Sequence, residues 1–325
     1  MKTAAQDGKA LQKLLDGIVA EVRKAAPGIH AEAVEAAKKR GKSAPKKGDF
    51  SRFGMAIFTR EGEMLSAGNA SVAFPLQSIS KVFALEIALA ALGERLWERV
   101  GREPSGDPFS SIVDLERDKG IPRNPFINPG ALVVCDMLVG LKGRAGPNRH
   151  VVHFLEGLLD DRIELHPEVM DSDRTGGNLN RSMMFMAKHH GNLKHKVEAV
   201  MDAYKHQCAI MLDCRGLAKA GRFLMHDDPE SGERKTPAAS RRARRILSTM
   251  MLCGMYDGAG DFAYRVGLPA KSGVGGGILA VAPNNASIAA WSPALDPMGN
   301  SWLGTLGLQM LTDRIDWSVF GRAPR

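Results

Sequence analysis

Two residue types within Phe74-Pro75-Leu76-Gln77-Ser78-Ile79-Ser80-Lys81-Val82-Phe83 could do covalent chemistry together. Ser78 and Lys81 are three residues apart, a spacing that on a helix stacks them on one face. A serine hydroxyl is a poor nucleophile at neutral pH and needs a base within hydrogen-bond reach. A lysine serves as that base only when burial or a cationic neighbour lowers its pKa. The residues after Lys81 supply burial: Val82, Phe83, Ala84, Leu85, Ile87, Ala88, Leu89, Ala90, Ala91 and Leu92 leave Glu86 as the only charge of a buried helix. Ser78 falls at its N-terminus, where backbone N–H groups favour developing negative charge. The competing structural role makes Ser78 a helix cap and Lys81 a residue that extends its amine to solvent.

A second element lies far along the chain. Lys271-Ser272-Gly273 immediately precedes a strand predicted over Gly277–Ala282. An edge strand offers a backbone N–H to an oxyanion, and glycine allows close approach.

The elements that must position these groups can be read in order. Leu11, Leu14, Leu15, Ile18, Val19 and Val22 give one apolar helical face over residues 10–24, with Pro27-Gly28 as its expected end. Ala31 to Lys39 reads as a second short helix, and Gly41 to Gly48 as a loop. Phe53 to Phe58 and Met64 to Gly68 read as a strand pair turning at Glu61-Gly62. Arg102 to Asn128 reads as mostly loop, and Ala131 to Leu141 as a helix opened by Asn128-Pro129-Gly130. His150 to Phe223 reads as helical throughout, Asp227 to Thr236 as a surface loop, and Ala239 to Met251 as helix. Leu279 to Ala282 and Ser287 to Trp291 read as strands joined by a turn at Pro283-Asn284-Asn285, and Trp302 to Ile315 as a closing helix. Strands near both ends with a helical block between them predict an α/β (α+β) fold: an antiparallel sheet with flanking helices plus an all-helical lobe. The expected division is an N-terminal helical segment over residues 1–40 and a catalytic domain over 41–325. Within that domain the sheet lobe takes about 41–75 and 255–325, and the helical lobe about 76–250.

Composition excludes some classes. Of 325 residues, 44% are hydrophobic and 25% charged, as a globular core requires. No run of 18 apolar residues occurs, so no membrane span is expected. The start has no apolar leader segment, which gives a cytoplasmic expectation. The four cysteines, Cys135, Cys208, Cys214 and Cys253, form no C-x-x-C pair and are expected to be free and mostly buried. The nine histidines include no H-x-x-x-H pattern, so no metal and no cofactor is expected. The net charge of +8 sits mainly in Lys38–Lys47 and Arg241–Arg245. Neither run is interleaved with aromatics, so these are expected to be solvated faces rather than a nucleic-acid groove.

Several longer strings carry a resemblance. They are Gln77-Ser78-Ile79-Ser80-Lys81, Arg123-Asn124-Pro125-Phe126-Ile127-Asn128, Cys253-Gly254-Met255-Tyr256-Asp257, and Gly267 through Gly277. Trp291-Ser292-Pro293, Leu295-Asp296 and Met298-Gly299-Asn300-Ser301 complete the set. With S-x-x-K early and K-S-G late, as in penicillin-recognising serine enzymes, the chain resembles the bacterial-type glutaminases, a branch of the serine β-lactamase-like fold, from about Gly41 to Ile315. The resemblance implies hydrolysis of L-glutamine to L-glutamate and ammonia through a Ser78 acyl-enzyme, and a homo-oligomer, dimer or tetramer. It implies that Ser78 is the nucleophile, Lys81 its base and Tyr256 a proton relay. The backbone N–H of Val274 would join that of Ser78 in an oxyanion hole, and Asn128, Asn180 and Tyr204 would hold the substrate.

Glutamine is a zwitterion, so its site also needs a carboxylate. The family has a Glu seven residues before the position of Asn180, whereas this chain has Asp173, about 1.5 Å shorter in reach. Leu179 replaces an Arg, Pro129 replaces an Ala, and Lys46 stands where the family has a Tyr after G-K-x-A-x. These departures leave two other readings open. One is a related serine amidohydrolase acting on another γ-amide, a β-lactam or a peptide; the other is a weakened homologue that binds ligand without turnover.

Overall fold

The four apolar runs read as strands are all strands in the computed structural model, which describes residues 8–106, 112–141, 146–171, 177–227 and 236–321. The sheet has five strands: β1 (Gly54–Thr59), β2 (Met64–Gly68), β3 (Ala270–Ser272), β4 (Gly277–Ala282) and β5 (Ala286–Trp291). They are antiparallel in the order β2-β1-β5-β4-β3, so sequence-distant β1 and β5 pair at the centre, with Ile57 opposite Ile288. Every residue of β1, β4 and β5 is buried, because helices cover both faces. Alternation is therefore absent from these strands, and they read as mostly apolar runs with only Thr59 and Ser287 polar. β3 is an edge strand that carries Lys271 and Ser272 themselves; three residues are too few for a periodic signal.

Two compact units account for the chain. One comprises Met1–Phe74, Asp213–Lys235 and Asp261–Arg325; the other comprises Pro75–Leu212 and Thr236–Gly260. In the sheet unit, the helix Trp302–Thr312 packs on the face bearing Met55 and Ile278, where a side chain at Gly307 would strike Met55 and Phe53. The helix Cys214–Ala220 covers the opposite face, leading into Gly221 above Ser287 and Leu279.

The N-terminal helix packs on β2 and on Trp302–Thr312, and runs unbroken from Gly8 to Lys39. The two helices expected on either side of Pro27 are thus one. A proline inside a helix removes one hydrogen bond and bends the axis, but the Ala- and charge-rich residues after it are strong helix formers and resume the turn.

The second unit is helical and centred on Ser80–Leu92, which packs against Asn128–Val139, His150–Leu159, Val197–Cys208 and Pro237–Cys253. The continuous helix expected from His150 to Phe223 is instead a series: His150–Leu159, Pro167–Met170, Gly177–His189, Val197–Cys208 and, in the sheet unit, Cys214–Ala220. Asp160 and Gly191 turn the chain with positive φ, and the Asp213 carboxylate caps the last of the series by accepting from Gly216 N at 2.7 Å. Apolar periodicity reports a face and not its continuity, which is why these breaks escape it. Arg102–Asn128 also contains a short helix, Val113–Arg117. Most of the expected loop from Asp227 to Thr236 lies outside the described residues. No helix among the described residues is long and apolar enough to cross a membrane.

Candidate active site

Ser78 sits in a single 3₁₀ turn, Gln77–Ile79, that feeds directly into the helix Ser80–Leu92. Local sequence fixes the turn. Leu76 and Ile79 are wholly buried, and Leu76 N donates to Ile210 O at 2.8 Å. The Ser80 hydroxyl donates to Gln77 O at 2.7 Å. Gln77, just before the serine, has φ 50°, a left-handed conformation that costs a non-glycine residue energy. Strain of this kind collects at functional positions.

Lys81, in the first turn of the helix, is 1% exposed. Its Nζ donates to Phe126 O at 3.1 Å and to Asn128 Oδ1 at 2.8 Å. Among the described residues it pairs with no carboxylate. Burial, the largest influence, brings its pKa down from 10.5 to about 8, with Cys208 and Cys135 acting in the opposite direction. No hydrogen bond joins Ser78 Oγ to Lys81 Nζ among the described residues. A neutral amine has two N–H donors and one lone pair. With both donors engaged, the lone pair remains to accept a proton.

The acceptors facing Lys81 are set by Asn124, which sequence reasoning passed over as a site residue. Its Oδ1 accepts from Phe126 N at 3.0 Å and Ile127 N at 3.1 Å, and its Nδ2 donates to Glu103 O at 2.9 Å. The Asn-Pro pair was the available signal, since such pairs start turns. Asn128 then begins its helix with Pro129 in the first turn, where a proline costs no hydrogen bond. Gly130 is required there, because a Cβ would lie 1.9 Å from Asn124 O.

Tyr204 reaches the same amide, its hydroxyl donating to Asn128 Oδ1 at 3.4 Å. The phenol also hydrogen-bonds with the thiol of Cys208, one helical turn on, and burial holds its pKa well above the usual range. Tyr256 is 9% exposed, has φ 51°, and lies close enough to Tyr204 to interact electrostatically with it. It lines a small cleft with Phe126, Ile127 and Cys253. Both left-handed non-glycine residues of this region, Gln77 and Tyr256, thus flank or form the candidate machinery.

Other expected residues lie apart from this cluster. Asn180 is half-buried on the helix Gly177–His189 and makes no hydrogen bond to the Lys81 group among the described residues. Its neighbour Leu179 is 49% exposed. Asp173 falls outside the described residues. In the sheet unit, Lys271 is fully buried on β3, and its Nζ donates to Ser272 O at 2.6 Å. Val274 is at the tip of the tight β3–β4 turn, closed by Gly276 N donating to Gly273 O at 2.9 Å. Gly276 has φ 90°, and a Cβ there would lie 2.3 Å from Ser292 O. The Val274 N–H donates to nothing among the described residues. Cys135, Cys208 and Cys214 are buried free thiols, and Cys253 is half-buried. No group of three or more His, Cys, Asp or Glu among the described residues could hold a metal ion.

The family model for glutaminase matches residues 45–320. The chain belongs to the glutaminase family. A glutaminase of Methylobacterium sp. strain 4-46 is 50% identical over 271 residues, covering 83% of this chain and 88% of the relative. The structure of a probable glutaminase from Bacillus subtilis superposes with a TM-score of 0.82 at 32% identity, covering 96% of this chain and 98% of that one. A Bacillus subtilis glutaminase solved as a covalent complex with 5-oxo-L-norleucine, formed by reaction with 6-diazo-5-oxo-L-norleucine, is also similar. It matches with a TM-score of 0.72 and 31% identity over 83% of this chain and 90% of that one. The fold of this glutaminase-family chain is the β-lactamase-like one.

Proposed function

We propose that the protein hydrolyses L-glutamine to L-glutamate and ammonia, with Ser78 as nucleophile and Lys81 as its base. The observation that carries this reading is the state of Lys81: buried, unpaired with any carboxylate among the described residues, and donating to two carbonyl oxygens at 3.1 and 2.8 Å. Those two bonds leave one position on Nζ free, and burial lowers the cost of emptying it of its proton, as a base for Ser78 requires.

In this mechanism Ser78 Oγ bonds to the δ-carbonyl carbon of glutamine while its proton passes to Lys81 Nζ. The backbone N–H groups of Ser78 and Val274 receive the oxyanion. The C–N bond then breaks, Tyr256 relays a proton to the departing nitrogen, and ammonia leaves. Water attacks the remaining glutamyl ester, releases glutamate and restores Ser78. Asn128, Asn180 and Tyr204 would hold the α-carboxylate end and Asp173 the ammonium. The lone Val274 N–H and the strained turn before Ser78 support the assignment of those two positions. We further infer a cytoplasmic homo-oligomer, dimer or tetramer, with no nucleic-acid or membrane partner, and a catalytic domain that begins near residue 41.

The test is ammonia release from L-glutamine by purified protein, beside Ser78→Ala. Loss of several orders of magnitude in kcat with the variant still folded is the expected result. Full activity in the variant would overturn the mechanism. The departures at Asp173 and Lys46 motivate the second reading, a related amidohydrolase acting on another γ-amide, a β-lactam or a peptide, and a panel of amides in the same assay separates the two.

A further inference from the structure

The carboxylates on the helices packed around Lys81 are engaged with other partners. On its own helix Glu86 accepts from Arg242 Nε of Pro237–Cys253 at 2.8 Å, and Glu94 just beyond pairs with Arg245. On Asn128–Val139, Asp136 is held by Arg99 and by the amides of Lys194 and His195. On His150–Leu159, Glu156 pairs with Arg149 and His153. On Val197–Cys208, Glu198 pairs with Arg181, and Asp202 accepts from Asn148 and pairs with His206. What faces Lys81 instead is neutral. Cys135 comes from one helix, and Tyr204 and Cys208 from another.

The two thiols are placed, not loose. Cys135 is fully buried and its Sγ donates to Gln207 Oε1 at 3.3 Å. Cys208 hydrogen-bonds with the side chains of Tyr204 and Ser80, the latter adjacent to Lys81. We propose that Cys135 and Cys208 are positioning residues for glutamine hydrolysis: they close the Lys81 pocket with groups that fill space and take hydrogen bonds yet carry no charge. A carboxylate in either place would hold the third proton on Lys81, and a water-filled gap would solvate the ammonium; both would end its use as a base. Burial raises both thiols, Cys208 to about 11, so neither supplies a negative charge at working pH. The proposal rests on Lys81 being the base that activates Ser78.

The test is the pH profile of kcat/KM for Cys208→Asp beside Cys208→Ser. The aspartate is expected to move the acid limb upward by a unit or more, costing about tenfold at pH 7 that is regained near pH 9. The serine should leave the limb in place. A merely structural defect would lower the rate evenly across pH. Gln207→Glu, nearly isosteric, provides the same readout with a smaller shift should Cys208→Asp fail to fold. Titration of lysine-labelled protein by NMR, with the Lys81 resonance identified by its loss in Lys81→Ala, follows the amine without glutamine turnover. An unmoved Lys81 titration in the folded acidic variant overturns the proposal even if the wild type hydrolyses glutamine. A wild type that releases no ammonia, with Lys81 still shifted by the acid, overturns the functional reading alone.

Discussion

Lys81 Nζ lies 2.8 Å from Asn128 Oδ1, and the same oxygen accepts from Tyr204 OH at 3.4 Å. One uncharged amide thus orients the candidate base and a candidate substrate-binding phenol together. Asn128→Asp keeps the shape but sets a negative charge against the amine. The expected outcome is a fall of about tenfold or more in kcat/KM at pH 7, with an acid limb displaced above about 8 and partial recovery at higher pH. An unmoved limb would mean that Lys81 does not control the rate.

The same burial should cost stability. Lys81 has a folded pKa of about 8 against 10.5 unfolded, so the unfolded chain binds more protons between those values. Its destabilising effect is therefore full below pH 8 and fades as pH rises toward 10.5. The shift corresponds to about 3 kcal/mol at neutral pH. Lys81→Met removes that penalty but leaves two carbonyl acceptors without their donor, so a net gain of about 1 kcal/mol is expected, together with loss of activity. Urea denaturation at pH 7 and at pH 9.5 measures it, and the gain should be smaller at the higher pH.

Gln77 offers a second exchange of stability for function. Its φ of 50° costs about 1–2 kcal/mol for a residue with a Cβ, while glycine adds about 0.5–1 kcal/mol of chain entropy on folding. Gln77→Gly should therefore stabilise the protein by up to about 1 kcal/mol in urea denaturation. The freed turn would hold Ser78 less firmly, so kcat should fall while KM changes little.

Much of this was legible before the structure. The strands β1, β4 and β5 announced themselves because burial on both faces leaves no charged residue in them. Ser78 and Lys81 could be paired because a spacing of three and an apolar sequel imply one helix face and burial. Gln77 and Tyr256 could not be singled out as strained, since nothing in a glutamine or tyrosine marks a positive φ. Asn124 looked like any turn asparagine, although its oxygen sets the carbonyls that hold Lys81. The placement of Cys135 beside Gln207, 72 positions later, is a tertiary fact with no local signature. Pro27 misled because a proline forbids one hydrogen bond, not a helix.

Asp173 is the clearest departure from the family pattern at a position proposed to meet the substrate. A charge-assisted hydrogen bond contributes roughly 1.5–3 kcal/mol, and a shorter arm would forfeit about 1 kcal/mol of it. Asp173→Glu is expected to lower KM for L-glutamine by up to about tenfold, with a smaller effect on kcat. Steady-state ammonia release checks both constants, and a raised KM would show that the backbone already suits the shorter acid.

Asp136 sits one residue beyond Cys135 and is fully buried. It accepts from Arg99 Nη2 at 2.5 Å, from the backbone N–H groups of Lys194 and His195 at 3.0 and 2.7 Å, and pairs with His195 Nδ1 at 3.0 Å. It thereby ties the residues before Val197–Cys208 to the helix that carries Asn128. Burial alone would raise its pKa, but the hydrogen bonds from Arg99, His195 and Lys194 outweigh that and bring it below 3.8. A lowered acid contributes stability above its unfolded pKa and loses it as pH falls through the folded one. Asp136→Asn removes the charge and turns an N–H toward donors, leaving Arg99 uncompensated, at a cost of about 3 kcal/mol near neutral pH. In urea denaturation the difference between wild type and variant should hold from pH 7 to about pH 5 and narrow below about pH 4, as the carboxylate takes up a proton first in the unfolded chain and then, at lower pH, in the folded one. A difference that did not change with pH would mean that shape, and not the charge of Asp136, fastens the loop.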